Sequence, residues 1–348
     1  MPGLMSVTGR AGRWAAAARV GASLAAAVLC TLVCSCSSGA VPPLRVGVPP
    51  WLCGQFAGIA RDLGFFDDRD VALIHYGSPI ELARHFREGS LDVALLTLDY
   101  VPYFSAATPS LDVVFVVDVS SGGDGVVATP PAGAASELRG RRIGYEATPL
   151  GVHMLLRALQ SGGLRPHDVE AVPVDYEEHA TAFLGGRVDA VVTREPERSR
   201  LLGDGASSMF DSSQAPGQVD DVLVVPTATA VSRGEDLRKL IDGWLSAYAG
   251  LQDNHPAMVA RLASGLSVPA ATVEQALAGL RLVDLQGNRD LLSGYPARLS
   301  ATLEEIRRFA DAADLLPESQ ARAVRFTDAY LPRVVTRPGG RFTGASWP

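Results

Sequence analysis

The chain has almost no lysine: of 31 basic residues only Lys239 is one. The helical spacing around Lys239 sets it on a surface away from the strand-end loops, so no lysine is placed to hold a carbonyl cofactor. Cysteine is scarce too, with Cys30, Cys34, Cys36 and Cys53 in 348 residues. The first three lie in or at the end of an N-terminal leader. Cys53 is then left alone, which excludes an intramolecular disulfide framework. Cys53 sits beside Trp51 in an expected loop, and no His or Asn arrangement accompanies it to make a nucleophile. His75, His153 and His179 are scattered without metal-ligand spacing, and His153 beside Met154 reads as a structural residue on a helix. An excess of positive charge is also missing. The formal net charge of −7 argues against a nucleic-acid partner, which needs a basic face.

No acidic residue precedes Cys36, whereas Arg10, Arg13 and Arg19 do. Residues 20–33 are apolar and small, shorter than the roughly 20 residues of a comfortable membrane span. They end in Val33-Cys34-Ser35-Cys36, followed by Ser37-Ser38-Gly39. This resembles a bacterial lipobox, in which the final Cys becomes the acylated N-terminus, although Val33 and Cys34 depart from the commoner Leu and Ala or Ser. The expectation is a signal peptide over 1–35 and a lipidated tether over 36–43, against plain signal-peptidase cleavage nearby or an uncleaved anchor, on an exported protein facing the periplasm or cell exterior. Loss of the leader's three arginines would leave 28 − 38 = −10. No second long apolar run follows, and about 310 residues suffice for two domains.

What is present is a repeat. Arg45-Val46-Gly47 recurs as Arg142-Ile143-Gly144, and Phe86, Gly89 and Asp92-Val93-Ala94 recur as Phe183, Gly186 and Asp189-Ala190-Val191, each 97 positions later. Each copy opens on a short apolar strand, passes through helix and closes on an Asp-led strand, which reads as two similar α/β lobes around a cleft. In the first copy, strands are expected at 44–48, 71–76 and 92–96, with helices at 53–63 and 79–86. Extended segments follow at 113–119 and 126–128. In the second copy Thr148 reads as an N-cap with Pro149 at the first helical position, and Val152, Leu155, Leu156 and Leu159 share one face. Strands are expected at 171–174, 189–192 and 221–226. From Glu235 onward the pattern reads as helix throughout, with Leu237, Leu240, Ile241, Trp244 and Tyr248 on one face and Leu299, Leu303, Ile306 and Phe309 on another. The expected division is lobe one over 44–125 with 226–348, and lobe two over 126–225.

Ligands of parallel α/β sheets bind beyond the carboxyl ends of the strands. The loops there nominate Trp51, Thr97, Asp99, Ser120, Asp124, Glu146, Thr148 and Glu195 as solute contacts. Trp51 follows two prolines that stiffen its loop, so its indole would stack on a flat or cationic ligand at low entropic cost, or else pack beneath the loop. Thr97 and Asp99 would touch ligand or cap the next helix. Ser120 and Asp124 flank glycines that permit close backbone approach or flexing at a hinge, or make a plain hairpin. Thr148 would lend its helix amides to an anion, or occupy them with its own hydroxyl. Glu195 would accept from an amine or ring nitrogen, or pair with Arg194.

Taken together, the segments Leu44-Arg-Val-Gly-Val-Pro-Pro-Trp51, Gly89-Ser-Leu-Asp92-Val-Ala, Asp118-Val-Ser-Ser-Gly-Gly-Asp124, Arg139-Gly-Arg-Arg-Ile-Gly144, Gly186-Arg-Val-Asp189-Ala-Val-Val-Thr-Arg-Glu-Pro196 and Asp221-Val-Leu-Val-Val225 resemble the substrate-binding lipoproteins of ABC transporters of the nitrate/sulfonate/taurine type. That group also takes in binding proteins for thiamine pyrimidine precursors. The resemblance implies a periplasmic-binding-protein-like fold: two α/β lobes with mostly parallel sheets, hinge crossovers and C-terminal helices. It also implies a monomer that closes on a small solute and is read by a membrane permease and its ATPase, without cofactor or metal. Acidic loops and the aromatic residues Trp51, Tyr100, Tyr145 and Tyr176 favour a heterocyclic or amine-bearing solute over a sulfonate or nitrate. An enzyme of the pyrimidine-synthase kind would call for a cofactor lysine and clustered His or Cys, and a solute sensor would share every feature of the transporter component.

Overall fold

The computed structural model describes residues 41–336 except 106–109, 132, 295 and 314–323. The expected signal peptide, Cys36 and residues 37–40 of the tether lie outside the described residues, as does the side chain of Phe309.

The first copy of the repeat folds as β1 (Leu44–Val48), α1 (Gln55–Asp62), β2 (Val71–His75), α2 (Pro79–Arg87) and β3 (Val93–Thr97). β1 lies between β2 and β3, parallel to both. The second copy repeats this arrangement with β6 (Arg142–Tyr145), α3 (Pro149–Ser161), β7 (Glu170–Pro173) and β8 (Ala190–Arg194), in which β6 lies parallel to β7 and β8. Between and after the copies run β4 (Leu111–Ser120), β5 (Asp124–Ala128), β9 (Ser207–Asp211) and β10 (Asp220–Pro226). The chain closes with α4 (Gly234–Asp253), α5 (His255–Leu266), α6 (Ala270–Ala278), β11 (Leu280–Leu282), α7 (Pro296–Ala313) and β12 (Val324–Phe326).

Two sheets result. The larger has the order β11-β4-β10-β3-β1-β2, with β12 also on β4, and the smaller has the order β7-β6-β8-β5-β9. The parallel ladders belong to the repeated units and to the β12 edge. The strands that flank the crossings, β4, β5, β9 and β10, and the short β11 join antiparallel. The backbone passes between sheets twice, at Ser121–Gly123 and in the segment 212–219. These passages are tied together: Ser120 Oγ and Ser212 Oγ lie 2.8 Å apart, and Gly122 N donates to Ser212 Oγ at 2.7 Å.

Each copy is closed by the same clamp. Arg45 donates to Asp92 from its backbone N and Nε (both 2.9 Å) and from Nη2 (2.8 Å), and Nη2 also reaches Gly89 O at 3.0 Å. Arg142 does the same to Asp189 and to Gly186 O, at 2.7 to 3.1 Å. Gly89 and Gly186 both have positive φ, 76° and 69°, which a Cβ would strain. The recurring Arg, Gly and Asp are therefore the parts of one device that joins the first strand to the turn before the third.

The N-terminus of α3 is built as its sequence signature predicts: Thr148 Oγ1 accepts from Gly151 N at 3.1 Å and Pro149 occupies the first turn. The face Leu237, Leu240, Ile241 and Trp244 of α4 is buried against α1 and β1 of the larger sheet. α7 reaches the second copy, where Arg157 Nη1 of α3 donates to Glu305 Oε1 at 2.8 Å. The all-helical expectation after Glu235 needs correction, because β11 and β12 are strands. Each is three residues long, too short to show a period, and exists because β4 offers edge partners. β9, with polar Ser207, Ser208 and Asp211, carries little strand signal and is likewise made by its pairing with β5. Among the described residues no helix is long and apolar enough to cross a membrane.

Candidate functional site

The loops beyond the carboxyl ends of β1, β2 and β3 meet those beyond β6, β7 and β8 around one cavity of about 650 Å³. That volume suits a small organic molecule. Pro50, Trp51, Gly77, Ser78 and Thr97 come from the first copy, and Glu146, Asp175, Tyr176 and Glu195 from the second. The crossings bring Ser120, Gly123 and Asp124, and the α5–α6 corner brings Val268, Thr272 and Ala276.

Six of the residues nominated from sequence line this cavity: Trp51, Thr97, Ser120, Asp124, Glu146 and Glu195. Two are not among its lining. Asp99 is 2% exposed and accepts a short hydrogen bond from Thr97 Oγ1. Thr148 is 1% exposed and spends its hydroxyl on the α3 cap. Glu195 does not pair with Arg194. It accepts from Ser199 Oγ at 2.9 Å and lies 3.8 Å from Arg198 Nη1.

Arg194 is the one basic residue of the lining and it is committed. Its Nη1 donates to Glu146 Oε2 at 2.9 Å, and its guanidinium carbon stands 3.9 Å over the Tyr176 ring. Opposite it the lining is acidic. Asp118 on β4 and Asp221 on β10 are cross-strand partners, an arrangement in which two like charges repel. Cys53, from the turn after β1, donates from Sγ to Asp221 Oδ2 at 3.2 Å. Burial and mutual repulsion lift both Asp118 and Asp221 well above the usual carboxylate range. Burial, reinforced by both aspartates, also drives the Cys53 thiol well above its ordinary value. Asp124 is raised by burial as well.

Two other buried aspartates have cations. Asp112 accepts from Arg325 Nε at 3.0 Å and Asp220 from Arg298 Nη2 at 3.0 Å. Neither Asp118 nor Asp221 has an ion-pair partner among the described residues. Asp118 is 1% exposed, and its Oδ2 has no hydrogen-bond partner among them.

Sequence reasoning missed Cys53, Asp118, Asp221, Tyr176 and Arg194 as a constellation. A signal existed for two of them, since Asp118 and Asp221 are charges within otherwise apolar strands, but only the β4–β10 register sets them face to face.

Residues 55–257 match the family model described as NMT1/THI5 like. A curated Escherichia coli (strain K12) protein named as aliphatic sulfonates-binding is 21% identical over 245 residues, which cover 66% of this chain and 73% of the relative. The alkanesulfonate-binding protein of Xanthomonas axonopodis pv. citri, solved with MOPS, superposes with a TM-score of 0.66 at 20% identity, over 85% of this chain and 100% of that one. A desulfurization enzyme superposes with a TM-score of 0.56 at 19% identity, over 80% of this chain and 95% of the enzyme.

Proposed function

The chain belongs to the NMT1/THI5-like family, and we propose that it is the extracytoplasmic solute-binding protein of an ABC importer, selecting a small aromatic heterocycle that carries an amine or other cationic group. The carrying observation is the charge of the lining: besides the buried Asp118–Asp221 pair, whose ionisation burial opposes, six carboxyl groups stand against one guanidinium, Arg194, which already serves Glu146. An anionic solute would enter a field of its own sign, whereas a cation would relieve it. Trp51 and Tyr176 supply aromatic surface at the two sides.

In this reading lobe one comprises 44–125 with 226–348 and lobe two 126–225, and they close about the crossings at Ser121–Gly123 and 212–219. The leader directs export, Cys36 carries the lipid anchor, the protein works as a monomer, and a permease with its ATPase reads the closed form. Two observations support binding over catalysis. Lys239 is held by Asp70 at 3.1 Å and takes no part in the lining. The Cys53 thiol, raised by burial, is a poor nucleophile.

A second reading, a sulfonate-type anion binder, draws on the sulfonate-binding relatives. Mass spectrometry of small molecules released by denaturing the purified protein separates the two, followed by calorimetry with what is found. An amine-bearing heterocycle is expected, with Trp51→Ala weakening its binding by on the order of 1–3 kcal/mol. Recovery of a sulfonate, together with no heat from cationic heterocycles, would overturn the proposal.

A further inference from the structure

Positive charge is demanded most sharply at the cavity floor, where three protic groups converge. Cys53, Asp118 and Asp221 each offer one donor atom, and those atoms all lie within 4.8 Å of one another. A tetrahedral Zn²⁺ with its usual bond lengths sets sulfur and oxygen ligands about 3.5–3.7 Å apart. The Cys53 Sγ to Asp221 Oδ2 separation is 3.2 Å, so small side-chain rotations suffice.

We propose that Cys53, Asp118 and Asp221 form a site for one divalent cation of the Zn²⁺ class, with the remaining coordination position turned toward the cavity. An independent observation points to a ligand here. Asp118 is 1% exposed, yet its Oδ2 lacks a hydrogen-bond partner among the described residues, and the residue lines the cavity. Leaving a buried carboxylate oxygen bare costs several kcal/mol unless something else pairs with it. Elsewhere this fold answers the same problem with arginine, at Asp112, where Arg325 reaches both carboxylate oxygens. At Asp118 and Asp221 it presents a second carboxylate and a thiol instead.

The donor set selects the metal. A thiolate with two carboxylates suits Zn²⁺ and its neighbours rather than Mg²⁺ or Ca²⁺, which take oxygen alone. The thiol, and any carboxyl of the pair that holds a proton, releases it to solvent on coordination, which leaves the ion and its three donors with a net charge of −1 in place of an uncompensated buried pair. The frame is stiff, since Asp118 and Asp221 sit on paired strands and Cys53 is packed in the core beneath Trp51. The site is complete without any solute, so it does not rest on the solute's identity. Asp124, Asp175 and Glu177 of the lining are left for a solute's own charge.

The test uses the full chain with Cys30→Ser, Cys34→Ser and Cys36→Ser, so that Cys53 is its sole thiol. The protein is stripped with chelator, loaded with Zn²⁺, dialysed and assayed for metal, and in parallel titrated with Co²⁺. The expected result is one retained zinc per chain and a near-ultraviolet thiolate-to-cobalt band. Cys53→Ser should abolish that band, and Asp118→Asn should weaken zinc binding at least tenfold. Asp68→Asn, on the surface outside the lining, should change neither. Failure to retain zinc, retention unaffected by Cys53→Ser, or a cobalt spectrum without the thiolate band would each overturn the site. Should a variant not fold, the cobalt spectrum of the parent decides alone.

Discussion

Arg45 and Arg142 stand 97 positions apart and grip their aspartates with the same set of hydrogen bonds. Thr97 and Arg194, equally 97 apart at the tips of β3 and β8, share nothing: one is a buried hydroxyl on Asp99, the other a cation between Glu146 and Tyr176. The two copies thus agree where the chain must close on itself and differ where it meets the cavity. Closure is a geometric demand that few residues meet, while a loop tip beyond a strand end can change without disturbing the ladder behind it. The result is a symmetric frame around an asymmetric site, with the bare carboxylates in the larger sheet and the committed arginine in the smaller.

The comparison is broken most forcefully at the first helices. Gly54 and Gly151 occupy matching positions beneath the loops after β1 and β6. A Cβ on Gly151 would fall on the backbone carbonyl oxygen of Glu146, whereas one on Gly54 would meet the Val48 side chain at 2.6 Å. Gly151→Ala is therefore expected to cost about 3 kcal/mol in urea unfolding and to misplace Glu146, with Gly54→Ala nearer 1 kcal/mol. Equal costs would show that the two loops are equally tight and refute the distinction.

A second difference is electrostatic. Asp99 in the first copy is pushed by burial to about 7, while the residue 97 later is Pro196 and cannot titrate. Because the folded-state value lies above the unfolded one of ~3.9, Asp99's contribution is fully present below pH ~4 and is lost as pH rises through about 7. The stability of the parent relative to Asp99→Asn should thus fall between pH 5 and pH 8 by on the order of 2 kcal/mol. A parallel pair of stability curves would remove Asp99 from the account.

The smallest effect sharpens the likeness itself. Asp92→Ala removes the acceptor for the Arg45 backbone N–H and its guanidinium, in a site where the Asp92 side chain is only 20% exposed, and is expected to cost about 1–2 kcal/mol. Asp189→Ala breaks the same bonds at 36% exposure and should cost less, since water replaces them more readily. Thermal unfolding of the two variants side by side checks the order, and a larger loss at Asp189 would reverse it.

Much of the frame was legible in the chain. The strand at 44–48 has its expected ends, and the α3 start is marked by Thr148 and Pro149. The Asp-led strands announce themselves because their aspartates close the clamps. Short edge strands were not legible: β9, β11 and β12 depend on what β4 and β5 offer them rather than on their own period. Glu195 and Arg194 are adjacent in sequence and both line the cavity, yet each takes a partner from elsewhere, Ser199 and Glu146, which adjacency alone does not reveal.

The sequence by itself determined the duplicated α/β frame, the alternation of strand and helix, and the loops that would face a cleft. These follow from local periodicity, caps and turn glycines, which act within a few residues. Which acids stand bare in that cleft was decided only by tertiary structure. Asp118 and Asp221 oppose each other through the register of strands a hundred residues apart, and Cys53 joins them because β1 runs beside β3, and β3 beside β10. Burial then raises all three groups, and burial is a property of packing that no short stretch of chain carries.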